Sequence, residues 1–175
     1  MAEQTTEVAK EARHAAAPVD PAAFRDAMAC FPTGVTIVTT VDAYGQAHGL
    51  TVSSFCSVSL RPPLVSFCVS ETANCFPAFA ECDRFAVSVL RPHHAALARR
   101  FASKRRDKFA DGGFGRTPSG LPVADGALAV VECRVYDRYP GGDHLIVLGE
   151  VFRAHTDRGT PLVFVGRTFT QVSVR

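Results

Sequence analysis

Short runs of β-branched and aromatic residues, separated by turn residues, constrain the fold of this chain more than any other feature. The run 34–41 reads GVTIVTTV, and the Asp42-Ala43-Tyr44-Gly45 that follows is typical of a hairpin turn. Runs of the same kind predict further strands at 46–55, 64–69, 85–90, 127–137, 144–154 and 161–165. Because helices are missing between most successive strands, the pattern predicts a mainly β protein. It favours a closed or nearly closed antiparallel barrel over a doubly wound parallel sheet.

Helices are few in this pattern. The first is predicted to begin at Pro21, behind a cap at Asp20, with an apolar face formed by positions 24, 27, 28 and 31. A short helix is predicted around 74–81, and another over 92–103. They are expected to flank the strands.

Length and composition describe one ordinary globular domain. Residues 1–19 have no apolar period and are expected to form a flexible arm, so the 175-residue chain predicts a single domain over 20–175. With 47% hydrophobic and 21% charged residues and a formal net charge of +2, nothing indicates binding to nucleic acid or to a membrane. No apolar run reaches the roughly 18 residues of a membrane span, and no secretory signal is found.

The cysteines indicate free thiols rather than disulfides or a metal centre. None of the six lies in a C-x-x-C pair, which predicts a reduced, cytoplasmic protein. They are Cys30, Cys56, Cys68, Cys75, Cys82 and Cys133. His93 and His94 are adjacent and would point about 100° apart on a helix, so they are poorly placed to share a metal. No metal site is therefore expected.

Common nucleotide-binding and hydrolase motifs are absent. Gly113-Phe114-Gly115 begins like a dinucleotide fingerprint, but Pro118 stands where its third glycine belongs. There is no P-loop, no nucleophile elbow and no H-E-x-x-H. These absences disfavour a Rossmann dehydrogenase and a hydrolase.

A hydroxyl-rich segment is the first candidate for ligand binding. Five hydroxyl side chains lie in the nine residues 51–59, at the end of a predicted strand. Hydroxyl groups and turn N–H groups suit a phosphate or a ribityl chain, because they solvate anionic oxygens without a full counter-charge. The alternative is a strand face whose hydroxyls bond to neighbouring strands, which is the commoner explanation of such a run.

Two further segments are candidates. Gly141-Gly142-Asp143-His144 places a histidine at a strand mouth, where it is suited to bonding a ligand, although such a histidine is more often structural. Arg100, Lys104 and Lys108 follow one another at the spacing of one helical turn, and this row is suited to flavin or nicotinamide phosphates. The alternative for the basic row is a solvated helix end.

Together these segments resemble a known family, the flavin reductase-like FMN-binding split barrels, whose members serve as reductase components of two-component flavin monooxygenases. The resemblance spans about residues 24–169. It rests on ordered blocks at 24–28, 31–35, 49–65, 85–90, 142–144 and 159–162. The order and spacing of the blocks are specific, whereas each block alone is weak.

The resemblance implies a six-stranded antiparallel Greek-key split barrel with flanking helices, assembled as a homodimer. It implies an NAD(P)H:flavin oxidoreductase that uses NADH or NADPH to reduce FMN or FAD and supplies the reduced flavin to a partner monooxygenase. Two alternatives stay open: a flavin-binding carrier or sensor without turnover, and a self-contained oxidase of the pyridoxamine-phosphate-oxidase branch. Fold alone does not decide between them.

The resemblance also assigns roles to individual residues. His144 corresponds to the family's histidine near the nicotinamide, and Lys108 to a lysine near the flavin phosphate. The implied flavin contacts are Pro32, Thr33, Thr51, Val52, Ser53, Ser54, Ser59, Cys68, Val69, Phe101, Ala102 and Lys108. In the turn after the third strand, Thr72 and Asn74 are expected to replace the family's Ser or Thr contacts, while Glu71 adds a negative charge there.

Overall fold

The computed structural model describes residues 18–172. These divide into two compact units, one ending at Phe31 and the other beginning at Pro32. The predicted arm, residues 1–19, lies outside the described residues except for its last two. No helix within residues 18–172 is both long and apolar enough to span a membrane.

The first unit contains helix α1, Pro21–Ala29, where a helix was predicted. The carboxylate of Asp20 accepts hydrogen bonds from the backbone N–H groups of Ala22 and Ala23, at 3.2 and 3.3 Å. This cap and the proline at the first helical position explain where the helix begins. The large side chains of its apolar face are more than half exposed: Phe24, Met28 and Phe31.

The second unit is mainly β. Its described strands are β1 (Thr33–Gly34), β2 (Thr36–Val41), β3 (Ala47–Val52), β4 (Cys56–Leu60), β5 (Pro63–Ser70), β6 (Arg84–Val89), β7 (Phe114–Arg116), β8 (Pro122–Ala124), β9 (Ala129–Gly141), β10 (His144–Thr156), β11 (Leu162–Val165) and β12 (Thr168–Gln171). Its helices are α2 (Phe76–Glu81), a 3₁₀ turn (Pro92–His94) and α3 (Ala95–Ala102). The small helical content confirms the prediction of a mainly β protein.

The strands form one large antiparallel sheet and two small ones. The large sheet has the order β3-β2-β6-β9-β10-β5-β4, and the small sheets are β1-β11-β12 and β7-β8. The large sheet has seven strands, and no hydrogen-bonded ladder joins its end strands β3 and β4 in the described part of the chain, so the six-stranded closed barrel stays a prediction. Strand β4 was not predicted as a strand, and all of it but Leu60 falls in the hydroxyl-rich segment.

Two hydrophobic clusters fill the unit. In the first, the ring of Phe67 packs edge-on against the rings of Phe79 and Phe85, with centroids 5.5 and 5.0 Å apart. In the second, Phe101 of α3 is fully buried against Phe109 and Phe114. The second cluster fixes α3 and the loop that follows it against β3.

A buried histidine fastens the 3₁₀ turn. The Nδ1 atom of His94 accepts the backbone N–H of Arg91 at 3.1 Å, so this nitrogen is unprotonated. Its Nε2 atom lies 2.9 Å from the carbonyl oxygen of Asp125 and donates to it. Burial lowers the pKa of His94, because the interior disfavours the charged ring.

His94 should make the folded state sensitive to mild acid. The unfolded chain binds a proton at the ordinary histidine pKa near 6.5, above the folded pKa, so the free energy of unfolding falls as pH drops through this range. One such group contributes a slope of at most about 1.4 kcal/mol per pH unit. Urea unfolding of His94→Gln between pH 7.5 and 5.5 should show a flatter pH dependence than the wild type. The exposed His155 on β10 gives the matched control: it takes no part in the 3₁₀ turn, so His155→Gln should keep the share of the slope that comes from His94.

Candidate functional site

A cationic cavity of about 300 Å³ opens beside the second cluster. It lies between the start of β3, the turn before α2 and the loop after α3. Its lining residues are Ala47, His48, Gly49, Asn74, Cys75, Arg105, Arg106, Lys108 and Phe109. Four basic side chains and no carboxylate are among them, so the cavity is suited to an anion.

Lys108 is a half-buried charge of this cavity without a carboxylate partner in the described part of the chain. Its Nζ atom donates to the carbonyl oxygen of Phe101 at 2.8 Å, and it forms no ion pair with a carboxylate in the described part of the chain. Partial burial lowers the pKa of Lys108. A half-buried ammonium group without a counter-ion is costly, and a bound anion would remove that cost.

Arg105 and Arg106 are adjacent in sequence but differ in charge compensation. Arg105 pairs with Asp107 at 2.5 Å and with Asp111 at 2.8 Å. Its charge is therefore neutralised by carboxylates, although it lines the cavity. Arg106 lines the same cavity and forms no carboxylate pair within residues 18–172. Two basic groups, Lys108 and Arg106, are therefore available to a ligand.

The prediction that Arg100, Lys104 and Lys108 follow one another along a helix is wrong. Helix α3 ends at Ala102, and Ser103 already has extended backbone. Arg100 instead pairs with Asp111 at 3.3 Å, and Lys104 lies outside the cavity lining. Only the last member of the row lines the cavity.

Asn74 and His48 complete the cavity. The Asn74 amide donates to the carbonyl oxygen of Lys104 at 2.8 Å, which ties the turn before α2 to the loop after α3. His48 Nε2 lies 2.8 Å from the Asp42 carboxylate across the β2–β3 hairpin, and this bond lowers the pKa of Asp42. Because a carboxylate only accepts, Nε2 of His48 bears the proton in this pair.

Three hydroxyls of the hydroxyl-rich segment bond to the protein itself. Thr51 donates to the Ala98 carbonyl at 2.7 Å and so joins β3 to α3. Ser54 and Ser59 accept backbone N–H groups of Cys68 and Arg61, at 3.0 and 3.2 Å. Thr51 therefore uses its hydroxyl proton within the protein, whereas Ser54 and Ser59 only accept and keep theirs; the flavin contacts of all three stay predictions.

The other predicted flavin contacts of this region fall into two groups. Val52 and Val69 are buried in the first cluster, so a ligand there would meet their backbone rather than their side chains. Ser53 and Ala102 are exposed and remain accessible.

Pro32 and Thr33 lie at the small sheet β1-β11-β12. Thr33 pairs with Phe164 of β11, and its Oγ1 atom is buried without a hydrogen-bond partner in the described structure. A buried hydroxyl without a hydrogen-bond partner is unusual in proteins. Pro32 is exposed beside it.

A tight hairpin presents Asp143 and His144. His144 pairs with Gly141, which leaves a two-residue loop, and Gly142 at its first position has φ +70°. Such loops require positive φ at this position, which glycine adopts without strain. His144 Nδ1 lies 2.7 Å from an Asp143 carboxylate oxygen, and the ring is 42% exposed.

The turn 70–75 connects this hairpin to the cationic cavity. His144 lies opposite Ser70 in the β5–β10 ladder, and the carbonyl oxygen of Asp143 accepts the backbone N–H of Glu71 at 3.1 Å. The hydroxyls of Ser70 and Thr72 lie 3.0 Å apart in the same turn. His144, Thr72, Asn74 and Lys108 thus belong to one continuous region, although they are far apart in sequence.

The fold and this region define a β-sheet protein with a cavity suited to an anionic ligand, together with exposed hydroxyls and a hairpin histidine. A family model described as the flavin reductase like domain matches residues 28–173. The chain therefore belongs to the flavin reductase like family, as its resemblance indicated.

Relatives and solved structures agree with this family. The chain is 56% identical over 151 residues to actinorhodin polyketide dimerase of Streptomyces coelicolor, covering 86% of this chain and 85% of that one. It is 36% identical over 168 residues to the flavin-dependent monooxygenase reductase subunit HsaB of Rhodococcus jostii, covering 95% and 86%. It superposes with a TM-score of 0.82 on the NADH:FAD oxidoreductase SgcE6 of Streptomyces globisporus, solved with NAD and FAD fragments. Identity to SgcE6 is 38%, over 90% of this chain and 98% of that one.

Sequence reasoning missed two residues that line the cavity, His48 and Arg106. His48 follows a hairpin turn that begins with Asp42, and this spacing was the available signal for their pairing. Arg106 has no such signal, because its neighbour Arg105 has the same chemistry and only the loop conformation separates their roles.

Proposed function

We propose that this chain is an NADH-dependent flavin reductase that supplies reduced flavin to a separate flavin-dependent monooxygenase. The observation that supports it most directly is Lys108, a half-buried ammonium group in a cationic cavity without a carboxylate partner in the described chain. The likeness to a monooxygenase reductase subunit and to an NADH:FAD oxidoreductase agrees with this activity. The chain is therefore an enzyme.

The residues present fit a phosphorylated flavin. A flavin phosphate would supply the counter-ion that Lys108 and Arg106 lack, and a polar ring edge or ribityl hydroxyl would supply a partner for the Thr33 hydroxyl. Exposed Ser53 and the backbone N–H groups near Val52 are suited to the flavin ring. The Asn74 amide and the Phe101 carbonyl would keep the phosphate-binding part of the cavity in its conformation, because both bond to the loop that contains Lys108.

The protein contributes alignment rather than a nucleophile. A flavin held by these residues would supply the hydride acceptor for the nicotinamide of NADH. Holding the two rings in contact converts an encounter in solution into a reaction within one complex. Backbone and hydroxyl donors around the ring would stabilise the negative charge that develops on it. His144 at the hairpin is proposed to hold the nicotinamide.

The finer architecture is also part of the proposal. We place the strands in the split barrel of this family and assemble two chains as a homodimer. Apolar side chains stay exposed on β4, β9 and β10, and a second copy would cover them. The largest are Val58, Leu60, Tyr136, Tyr139 and Phe152. Because NADH is a cytoplasmic reductant, the proposed reaction takes place in the cytoplasm.

The class of organic substrate of the partner follows from one likeness. The relative with 56% identity is named for the dimerisation of a polyketide. We infer that the monooxygenase served by this chain modifies a polyketide. A mixture of partner, NADH, flavin and polyketide should then give product only when this chain is present.

Steady-state oxidation of NADH at 340 nm tests the proposed activity. NADH and NADPH are crossed against FMN, FAD and riboflavin, without any organic substrate. Rapid oxidation that depends on added flavin is the expected result. Tight flavin binding without oxidation of either nicotinamide would instead identify a carrier or sensor.

His144→Ala should weaken the use of NADH more than it slows turnover. Loss of a contact made equally in the ground state and the transition state raises KM and leaves kcat nearly unchanged. We expect KM for NADH to rise about 10-fold, the loss of roughly one hydrogen bond, with kcat within about twofold. An unchanged KM would remove His144 from the nicotinamide site while leaving the reductase activity intact.

A further inference from the structure

We infer that Asp143 is a positioning residue, which fixes the tautomer of His144 so that Nε2 accepts a hydrogen bond from the nicotinamide carboxamide. The inference rests on the proposed function, in which His144 holds the nicotinamide. It assigns a role to Asp143 and a hydrogen-bonding polarity to His144, two features that the likeness to flavin reductases leaves open.

The geometry of the pair fixes where the ring proton lies. His144 Nδ1 and Asp143 Oδ1 are 2.7 Å apart. The pKa of Asp143 is lowered, first by its hydrogen bond with His144, so the carboxyl group is ionised at neutral pH. An ionised carboxylate can only accept, and the proton of this bond is therefore on Nδ1. In the neutral ring, Nε2 is then an acceptor.

The backbone holds Asp143 in place for this role. Positive φ at Gly142 closes the hairpin, and the Glu71 N–H bonds the carbonyl oxygen of Asp143 at 3.1 Å. The side chain of Asp143 is 90% exposed and bonds no residue other than His144 within residues 18–172, so the protein core does not require it. A role in orienting His144 explains the carboxylate better than a role in folding.

The substrate offers a matching donor. The nicotinamide carboxamide has an NH₂ group, which donates, and a carbonyl oxygen, which accepts. An acceptor at Nε2 selects the NH₂ group and so sets which way the carboxamide faces. If Nε2 instead bore the proton, it would face the carbonyl oxygen, and the amide would be turned over.

The test compares two dinucleotides across four proteins. Wild type, Asp143→Ala, His144→Ala and Asp137→Asn are assayed with NADH and with its reduced 3-acetylpyridine analogue, in which a methyl group replaces NH₂. Asp137 is the matched control: an exposed carboxylate on the same hairpin, 2.7 Å from the hydroxyl of Tyr139 rather than from His144. Nitrogen-15 NMR of the labelled histidine reports its tautomer directly.

We expect Asp143→Ala to raise KM for NADH about fivefold, an effect near that of an exposed hydrogen-bonded pair, with kcat within about twofold. KM for the acetylpyridine analogue should not change, and Asp137→Asn should match the wild type with both. The wild-type spectrum should show a protonated Nδ1 and a bare Nε2.

Three results would overturn the inference. A wild-type ring protonated on Nε2 alone contradicts the assigned polarity without any variant. If Asp143→Ala leaves KM for NADH unchanged while His144→Ala raises it, Asp143 does not position His144. Equal losses with both dinucleotides show that the amide NH₂ is not the group recognised. If His144→Ala also leaves KM unchanged while flavin-dependent turnover persists, the proposed role of His144 fails and the reductase activity stands.

Discussion

Replacing Lys108 by glutamine should abolish most of the preference for phosphorylated flavins. Lys108 is the half-buried ammonium group of the cationic cavity, and a bond to a charged group is worth about 1.5–3 kcal/mol. KM for FMN and for FAD should therefore rise about 10- to 100-fold. Riboflavin has no phosphate, and its KM should stay within about twofold of the wild-type value. Steady-state NADH oxidation with each flavin measures the three KM values.

Lys104 supplies the matched control for this prediction. It has the same chemistry four residues earlier, but it is exposed and does not line the cavity. Lys104→Gln should leave the three KM values almost unchanged. If Lys108→Gln raised KM for riboflavin as much as for FMN, Lys108 would be acting through the fold of its loop. The cavity would then not be the phosphate site.

Gly149→Ala should destabilise the fold more than most single substitutions. A Cβ atom at this position would lie 2.3 Å from Cζ of Phe85 and 2.9 Å from Cβ of Cys133. Phe85 is fully buried and packs edge-on against Phe67, so its ring cannot move aside. Overpacking of this kind costs typically 1–3 kcal/mol and occasionally more, and we expect about 3 kcal/mol here. Urea unfolding followed by circular dichroism measures the loss.

Gly34→Ala tests whether this loss comes from the clash rather than from replacing a strand glycine. Gly34 also lies in a strand and has no positive φ, and a Cβ atom added there would meet no atom within 4 Å. Its replacement by alanine should change the free energy of unfolding by less than about 1 kcal/mol. Equal losses at both positions would refute the packing argument for Gly149.

Local chemistry made much of the fold predictable. The cap at Asp20 and the turn after Val41 are each fixed by neighbouring residues, and the structure has element ends close to both. Strand β9 was harder, since it continues to Gly141, beyond the predicted end at 137. Its last residues pair with β10 through the tight hairpin, and this long ladder rather than local propensity keeps them extended.

The site was predictable only where a motif marks it. His144 and Lys108 were assigned through resemblance, and the structure places them in one region with Asn74 and Thr72. The hydroxyl of Thr51 was predicted as a ligand donor, yet it donates to the Ala98 carbonyl, because packing of α3 against β3 brings this partner to it. Ser54 accepts the Cys68 N–H and keeps its own proton to donate. The Ala98 partner depends on how α3 packs, and the contrast between Arg105 and Arg106 depends on how their loop closes, so neither can be inferred from composition.

Anaerobic mixing of the chain with NADH and an excess of FMN over enzyme tests the central claim most directly. The loss of flavin absorbance at 450 nm counts how many flavins each chain reduces, and ultrafiltration separates free from bound flavin. The proposed function predicts reduction of many flavins per chain, with the reduced flavin in the filtrate, free to reach a partner. Reduction that stops at one flavin per chain, retained above the filter, would contradict the supply of reduced flavin to a separate oxygenase.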